Sequence, residues 1–244
     1  MTVVQRSCGG RLQPELGFSL FALVGVLLLL GLGSWQIERQ TWKHDLMARI
    51  NGRLTAPAVD FPGATVEPQA WDYRRVSARG VFDYSKELHL AARDVRYSVY
   101  GYQILVPFRL EDGRVMLVSR GWVPQEKKAP ASRAEGQITG TMTITGVARL
   151  PRERGWMAPE NAPDRNVWLW LDLAAMAKAA GVENFVPLFL EADDTPNPGG
   201  WPRGGQTRVQ FTDNHFIYAI TWFSLALALI VVWGVKSWKK DASA

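Results

Sequence analysis

The chain has 244 residues, of which 47% are hydrophobic, and a formal net charge of +5. This length allows one domain of ordinary size together with accessory segments. The basic excess does not support nucleic-acid binding, because 23 of the 28 basic residues lie between two apolar stretches, beside 21 of the 23 acidic ones. The segment between the stretches is therefore almost neutral and lacks the charge bias of a nucleic-acid-binding domain.

The first apolar stretch covers residues 16–37 and contains no charged residue. At about 1.5 Å per residue, a helix of this length crosses the roughly 30 Å hydrocarbon core of a bilayer. A cleaved signal peptide is the alternative, but its apolar core would be only about 7 to 15 residues long. The length favours a retained transmembrane helix that follows a short tail at residues 1–15.

Beyond this stretch, apolar side chains recur at helical spacing among charged ones, at Trp35, Trp42, Leu46 and Ile50. A period of three to four residues is typical of an amphipathic helix. We therefore expect the helix to continue beyond the apolar stretch, and Trp42 to belong to the first packing surface of the following domain.

The middle segment, residues 38–214, contains short runs that alternate apolar and polar residues and are separated by turn residues. Alternation of this kind is typical of β-strands. It predicts strands at residues 75–82, 87–92, 102–110, 114–123, 138–150, 166–171, 185–190 and 206–211. Because no regular alternation of strands and helices is present, the pattern predicts a mainly antiparallel sheet or a partly closed barrel.

Two local signals sharpen this prediction. Glu111, Asp112 and Gly113 form a three-residue hairpin loop in which the glycine can adopt the positive φ that such turns require. Residues 173–180 are predicted to form the one helix of the domain, with Asp172 as N-cap and Gly181 as terminator.

The second apolar stretch, residues 216–235, is also free of charge and long enough to span a bilayer. Short basic tails stay on the cytoplasmic side, whereas a long intervening domain is translocated largely regardless of its charge. We therefore expect residues 1–15 and 236–244 to be cytoplasmic and residues 38–214 to be periplasmic, in the inner membrane of a bacterium. The basic residues of the tails are Arg6, Arg11, Lys236, Lys239 and Lys240. The predicted fold class is an α+β membrane protein, with two transmembrane helices that flank a mainly antiparallel β domain.

His215 lies where the polar domain meets the second apolar stretch. Tyr218 and Trp222 follow it by three and seven residues, on the same face of the predicted helix. An ionisable side chain at the edge of a transmembrane segment indicates a functional site. A histidine that only caps a helix at the membrane interface fits the same pattern equally well.

Other candidate residues carry less weight. His44 lies nine residues beyond Trp35 on the predicted helix and is a minor ligand candidate. His89 is expected to be a half-exposed histidine within a strand. An acidic turn at the end of a strand explains Glu191, Asp193 and Asp194 better than a calcium-type site does. The chain has no G-x-S-x-G, H-E-x-x-H or P-loop motif.

Several segments resemble, in order and spacing, the surfeit locus protein one family. They are LGSWQIERQTWKHDLMARI, YGYQILVPFRLEDGRVMLVSRGWVP, ITGVARLPRERGWMAPENAPDRNVWLWLDLAAMA, VPLFLEADDTPNPGGWPRGGQTRV and DNHFIYAITWF. The resemblance covers nearly the whole chain and rests on many residues.

This resemblance implies an assembly factor, not an enzyme, for haem-copper cytochrome c oxidase. It implies that the chain binds haem a and helps to insert it into the catalytic oxidase subunit, with haem a synthase as a second partner. The family's motif histidine at the start of the second span falls on His215, which implies that His215 is the axial ligand of the haem iron. No second histidine is placed to serve as the opposite axial ligand.

Residues near His215 suit an amphiphilic cofactor. Tyr218 and Trp222 offer aromatic surface, and Ala219 is expected to leave room for the macrocycle one turn below the histidine. Arg208 is close enough in sequence to pair with a propionate, although a solvated strand arginine fits as well. The alternative functions are a cofactor-free scaffold that holds the oxidase subunit and, with less support, a periplasmic hydrolase.

Overall fold

A computed structural model describes residues 10–62, 67–207, 209 and 213–240 of the protein. Within these ranges lie the α-helices α1 (Leu16–Thr55), α2 (Pro68–Trp71), α3 (Leu173–Ala179) and α4 (His215–Ser237). Helices α1 and α4 are long and apolar enough to cross a membrane. The chain divides into two compact units, one of Met1–Ala48 with Gln210–Ala244 and one of Arg49–Val209. We call them the helix pair and the β unit.

In the helix pair, α1 and α4 run antiparallel and pack through small residues. A Cβ added to Gly25 would lie 2.7 Å from Leu229 Cδ2, and one added to Gly33 would lie 2.5 Å from Phe223 Cε1. Three alanines are also almost completely buried, namely Ala22, Ala219 and Ala226. Small residues allow the backbones of two helices to approach closely, so these positions set the distance between α1 and α4.

Polar contacts also join the two helices near the start of α1 and the end of α4. The Trp233 indole Nε1 donates a hydrogen bond to Ser19 Oγ at 3.0 Å. Strand β1 (Gly10–Leu12), which precedes α1, pairs antiparallel with strand β9 (Trp238–Lys240), which follows α4. These contacts fix the register of the two helices.

The described residues of the β unit form seven strands in one sheet. They are β2 (Val59–Asp60), β3 (Arg74–Phe82), β4 (Leu88–Arg93), β5 (Tyr100–Leu110), β6 (Val115–Pro124), β7 (Met142–Arg149) and β8 (Phe185–Ala192). The order is β2-β3-β7-β8-β6-β5-β4, and an additional pairing of β3 with β5 closes β3, β7, β8, β6 and β5 into a ring. Among these seven strands, as far as the structure describes them, only the β2–β3 and β6–β8 pairs are parallel. The prediction of a mainly antiparallel β domain is confirmed, and of the two predicted alternatives, a sheet or a partly closed barrel, the structure has the barrel.

Both faces of the central strands are covered. Along β5, Ile104 and Val106 belong to the larger hydrophobic cluster, whereas Leu105 between them belongs to a second cluster. The second cluster also contains Trp168 and, from α3, Met176. Because successive strand side chains point to opposite faces, β5 is apolar in consecutive positions rather than in alternate ones.

Two local predictions are confirmed in detail. Gly113 has φ +85° in the turn between β5 and β6. The Asp172 carboxylate accepts a hydrogen bond from the Ala175 backbone N–H at 3.0 Å and so caps α3. Gly181, with φ +58°, follows the end of that helix. Helix α1 also continues through Trp42 and Ile50 as one helix, as the spacing predicted.

The strand predicted at residues 166–171 is wrong. Asn166 has φ +52°, which interrupts an extended chain, and Leu90 makes only an isolated bridge with Trp168. The Asn166 side chain instead donates to Glu87 O at 2.8 Å and accepts from the His89 backbone N–H at 3.2 Å. This segment is therefore held to β4 by the Asn166 side chain and by one backbone bridge, in which the Trp168 carbonyl accepts from the Ala91 N–H at 2.7 Å, and not by a continuous ladder.

The strand predicted at residues 206–211 is not present at Gln206, Thr207 or residue 209, and residues 208 and 210–212 lie outside the described residues. Gln206 is buried, and its side-chain Oε1 accepts from the Val95 backbone N–H at 3.0 Å while Nε2 donates to Asp94 Oδ2 at 3.3 Å. Its amide thus takes part in a loop contact where the alternation had predicted a strand.

Candidate functional site

His215 is the first residue of α4. Its backbone N–H donates a hydrogen bond to Asp213 Oδ1 at 3.0 Å, which satisfies one of the free N–H groups at the helix start. The same hydrogen bond is the main reason why the pKa of the Asp213 carboxyl lies below its ordinary value. The group that caps this helix is therefore the Asp213 carboxylate, which leaves the His215 imidazole for other contacts.

Asp213 also connects the start of α4 to α1. Its Oδ2 lies 3.2 Å from Nε2 of His44, whose side chain is exposed. The carboxylate thus contacts a backbone N–H on one helix and an imidazole on the other. His44, the minor ligand candidate, is brought close to the site, but its Nε2 faces the Asp213 carboxylate.

The His215 imidazole is half-buried and contacts α1 through one nitrogen. Its Nδ1 lies 2.6 Å from the side-chain oxygen Oε1 of Gln36. No residue in the described part of the chain hydrogen-bonds to Nε2. One ring nitrogen is thus engaged by the protein, and the other is available.

The aromatic residues predicted around His215 differ in exposure. The Tyr218 side chain is 53% exposed, whereas Trp222 is half-buried and its Nε1 has no hydrogen-bond partner among the described residues. No ring contact joins either of them to His215 in the described ranges. The prediction that Ala219 leaves open space is wrong, because Ala219 is 1% exposed and lies on the buried face of α4.

Comparison with known proteins places this site within a family. A family model described as the SURF1 family matches residues 23–227, which is most of the chain. The chain belongs to the SURF1 family. Surfeit locus protein 1 of Homo sapiens is 38% identical over 231 residues, which cover 86% of this chain and 76% of that protein.

Two further relatives are similar to this chain over most of its length. Surfeit locus protein 1 of Mus musculus is 37% identical over 220 residues, covering 84% of this chain and 71% of that protein. The SURF1-like protein of Drosophila melanogaster is 36% identical over 222 residues, covering 83% of this chain and 72% of that protein. The family resemblance expected from the sequence is confirmed. The residues matched by the SURF1 family model include the four side chains that contact one another at this site, namely Gln36, His44, Asp213 and His215.

Sequence reasoning missed Gln36, although a signal was present. Gln36 is an uncharged polar residue at the very end of the first apolar stretch, and His215 directly precedes the second. In an antiparallel pair of spans, the end of one lies beside the start of the other. That pairing places Gln36 and His215 at the same depth along the two helices. The periodicity of a single segment does not reveal this contact.

The outcome differs for two other candidate residues. Arg208, proposed to pair with a propionate, lies outside the described residues. Glu191 accepts from Arg149 Nη1 at 3.2 Å and from Thr207 Oγ1 at 2.7 Å, so it belongs to a polar cluster of the β unit. No group of three or more His, Cys, Asp and Glu side chains in the described ranges could hold a metal ion.

The prediction that His89 is half-exposed is wrong. Its side chain is 13% exposed, and Nε2 lies 2.7 Å from Glu87 Oε1. Arg133 reaches the same carboxylate from a distant loop, with Nη1 donating to Glu87 Oε2 at 2.8 Å and Nη2 donating to Oε1. Burial alone would raise the pKa of Glu87, but the hydrogen bonds from His89 and Arg133 outweigh burial and lower it. We call these three residues the Glu87 cluster.

Proposed function

We propose that this SURF1 family member is an assembly factor for cytochrome c oxidase that binds haem a through His215 and assists its insertion into the catalytic subunit. The SURF1 family consists of cytochrome c oxidase assembly factors, so the general role is that of the family. The single observation that supports haem binding is the His215 ring, with Nδ1 on Gln36 and Nε2 without a hydrogen-bond partner among the described residues. Histidine nitrogen is a common axial ligand of haem iron.

The residues around His215 fit an amphiphilic cofactor. Phe216, Ile217 and Tyr218 are each more than half exposed, so an apolar and aromatic surface adjoins the imidazole. Asp213 and Gln36 supply polar groups at the same level. When bound, haem a would supply an iron that accepts an axial nitrogen, together with an isoprenoid tail and propionates of opposite polarity. His215 would bind the iron, and Tyr218 would contact the porphyrin face.

The proposed location is the bacterial inner membrane, with both termini in the cytoplasm and the β unit in the periplasm. Two charge-free stretches long enough to span a bilayer support membrane insertion, and the basic tails support this orientation. A reporter active only in the cytoplasm should give signal when fused after residue 244 and no signal when fused at Gln125. The reverse pattern would contradict the topology.

The proposed chemistry is binding and release, not catalysis. His215 would hold the haem through one ring nitrogen, and attachment to the protein by a single ligand would suit transfer to a client. The proposed partners are the catalytic subunit of the oxidase, which receives the haem a, and haem a synthase, which supplies it.

The test is to purify the full chain in detergent from cells that make haem a and to record its visible spectrum. We expect the parent protein to carry haem a and His215→Ala to lose most of it while remaining folded. His44→Gln is the control, because His44 faces Asp213 and should not bind the iron.

Full haem content with an unaltered Soret band in His215→Ala would contradict ligation by this residue. If the parent protein also lacked haem a but co-purified with the oxidase subunit, the cofactor-free scaffold would be the better function.

A further inference from the structure

The His215–Gln36 contact joins two helices that are far apart in sequence. The residues are 179 positions apart, and the 2.6 Å distance from Nδ1 to Oε1 is that of a short hydrogen bond. Gln36 is the last but one residue of the charge-free part of α1. The contact therefore fixes the imidazole of α4 from the opposite helix.

The chemistry of the two side chains determines the direction of this hydrogen bond. An amide oxygen only accepts, so the imidazole must donate from Nδ1. A neutral imidazole carries one proton, and its other nitrogen then has a free lone pair. In the neutral form of His215 this lone pair is therefore on Nε2, the nitrogen that has no hydrogen-bond partner in the described part of the chain.

Packing on both sides holds this arrangement in place. One turn before Gln36, Gly33 lies against the ring of Phe223, two turns after His215. On the other side, the Asp213 carboxylate holds the first turn of α4 and contacts His44 of α1. Because α1 and α4 are in contact on both sides of the Gln36–His215 pair, the amide and the imidazole have little freedom to separate.

We infer that Gln36 is a positioning residue that holds His215 as the Nδ1–H tautomer and so presents the Nε2 lone pair to the haem iron. The claim that Nε2 is presented to haem iron rests on the proposed function. The claim that Gln36 sets the tautomer of His215 in the haem-free protein does not. Metal-binding histidines commonly donate their other N–H to an oxygen that sets the ring orientation and raises the basicity of the ligand nitrogen. Here the acceptor is the side-chain oxygen of Gln36.

The first measurement uses haem-free full chain in detergent with ¹⁵N-labelled histidine. The chain has three histidines, so His215→Ala identifies the signals of His215 by their loss. We expect a protonated Nδ1 and an unprotonated Nε2 in the parent protein and in Gln36→Glu, which keeps an acceptor oxygen. Gln36→Leu should give a mixture of tautomers. Gln40→Leu is the matched control, one helical turn further along α1, and should match the parent.

The second measurement is the dissociation constant for haem a. Gln36→Leu should weaken binding by about 10- to 100-fold, the range found when such an outer partner of a metal ligand is lost. Gln36→Glu and Gln40→Leu should bind within a few fold of the parent protein. Recovery with glutamate in both the tautomer and the haem affinity would show that the acceptor oxygen matters, because a purely steric role of Gln36 would leave the tautomer unchanged in Gln36→Leu.

The outcomes separate the two proposals. A protonated Nε2 in the parent protein, or an unchanged tautomer in Gln36→Leu, would overturn the inference even if His215 binds haem a. Equal haem affinity of Gln36→Leu and the parent would overturn the positioning role. Absence of haem a from the parent protein would overturn the proposed function and the haem part of the inference, while the tautomer measurement would still decide whether Gln36 sets the ring.

Discussion

The β unit and the helix pair bury polar groups in opposite ways. In the β unit, the Glu87 and Arg133 side chains are 3% and 1% exposed and form an ion pair that His89 completes. The helix pair buries mainly alanine and glycine, and its contact between Gln36 and His215 joins a side-chain amide oxygen to a ring nitrogen. The buried polar groups of the β unit therefore depend on charges that compensate each other, whereas the helix pair depends on close backbone packing. Substitutions should affect the two regions for different reasons.

The largest effect is expected from Arg133→Leu, which leaves the buried Glu87 carboxylate without its cation. Loss of one partner of a buried ion pair costs about 3–5 kcal/mol because the other charge stays uncompensated. The free energy of unfolding of the full chain in detergent, followed by tryptophan fluorescence, measures this loss.

The control for that substitution is Arg79→Leu. Arg79 pairs with Glu111 at 2.7 Å, but their side chains are 64% and 62% exposed. Exposed pairs contribute only about 0–1 kcal/mol. Equal losses in the two variants would contradict the view that burial makes the Glu87 cluster important for stability.

An intermediate effect is expected in the helix pair from Gly33→Ala. The new methyl group would lie 2.5 Å from Phe223 Cε1, so the ring or the helix must move. Overpacking of this kind costs about 1–3 kcal/mol. Thermal unfolding in detergent should therefore show a lower Tm.

Gly31→Ala is the matched control on the same helix, because no atom lies within 4 Å of its added Cβ. Alanine favours a helix over glycine by up to about 1 kcal/mol, so this variant should be as stable as the parent or more stable. A lower Tm in Gly31→Ala than in Gly33→Ala would show that contact with Phe223 does not limit the approach of the helices.

The smallest expected effect is a difference in the pH dependence of stability. The pKa of Glu87 in the folded protein lies below its ordinary value of 4.5, so its ionised form stabilises the fold above that pH. This contribution is lost as the pH falls from 4.5 through the folded pKa. One carboxyl contributes a slope of at most about 1.4 kcal/mol per pH unit. Unfolding measured between pH 3 and 7 should show a shallower acid decline in Glu87→Gln, and identical slopes would be inconsistent with this role.

The parts of the fold that were predictable depend on neighbours in sequence. The hairpin at Gly113 and the cap at Asp172 require only a few adjacent residues. Residues 166–171 were mispredicted because the Asn166 side chain bonds to Glu87 and His89, about eighty positions away. His89 was expected to be half-exposed because the pattern of one strand does not show its contact with Glu87, a carboxylate that Arg133 reaches from a distant part of the chain.

The sequence by itself determined the two apolar helices, most of the strands and the position of His215 at the start of the second helix. These follow from hydrophobic periodicity and from the length of charge-free stretches, which are local properties of the chain. Only the tertiary structure decided which side chain contacts the imidazole, because Gln36 meets His215 across 179 positions once the two helices pack. It also decided that Ala219 is buried, since the face of α4 that packs is set by the partner helix and not by the sequence of α4 alone.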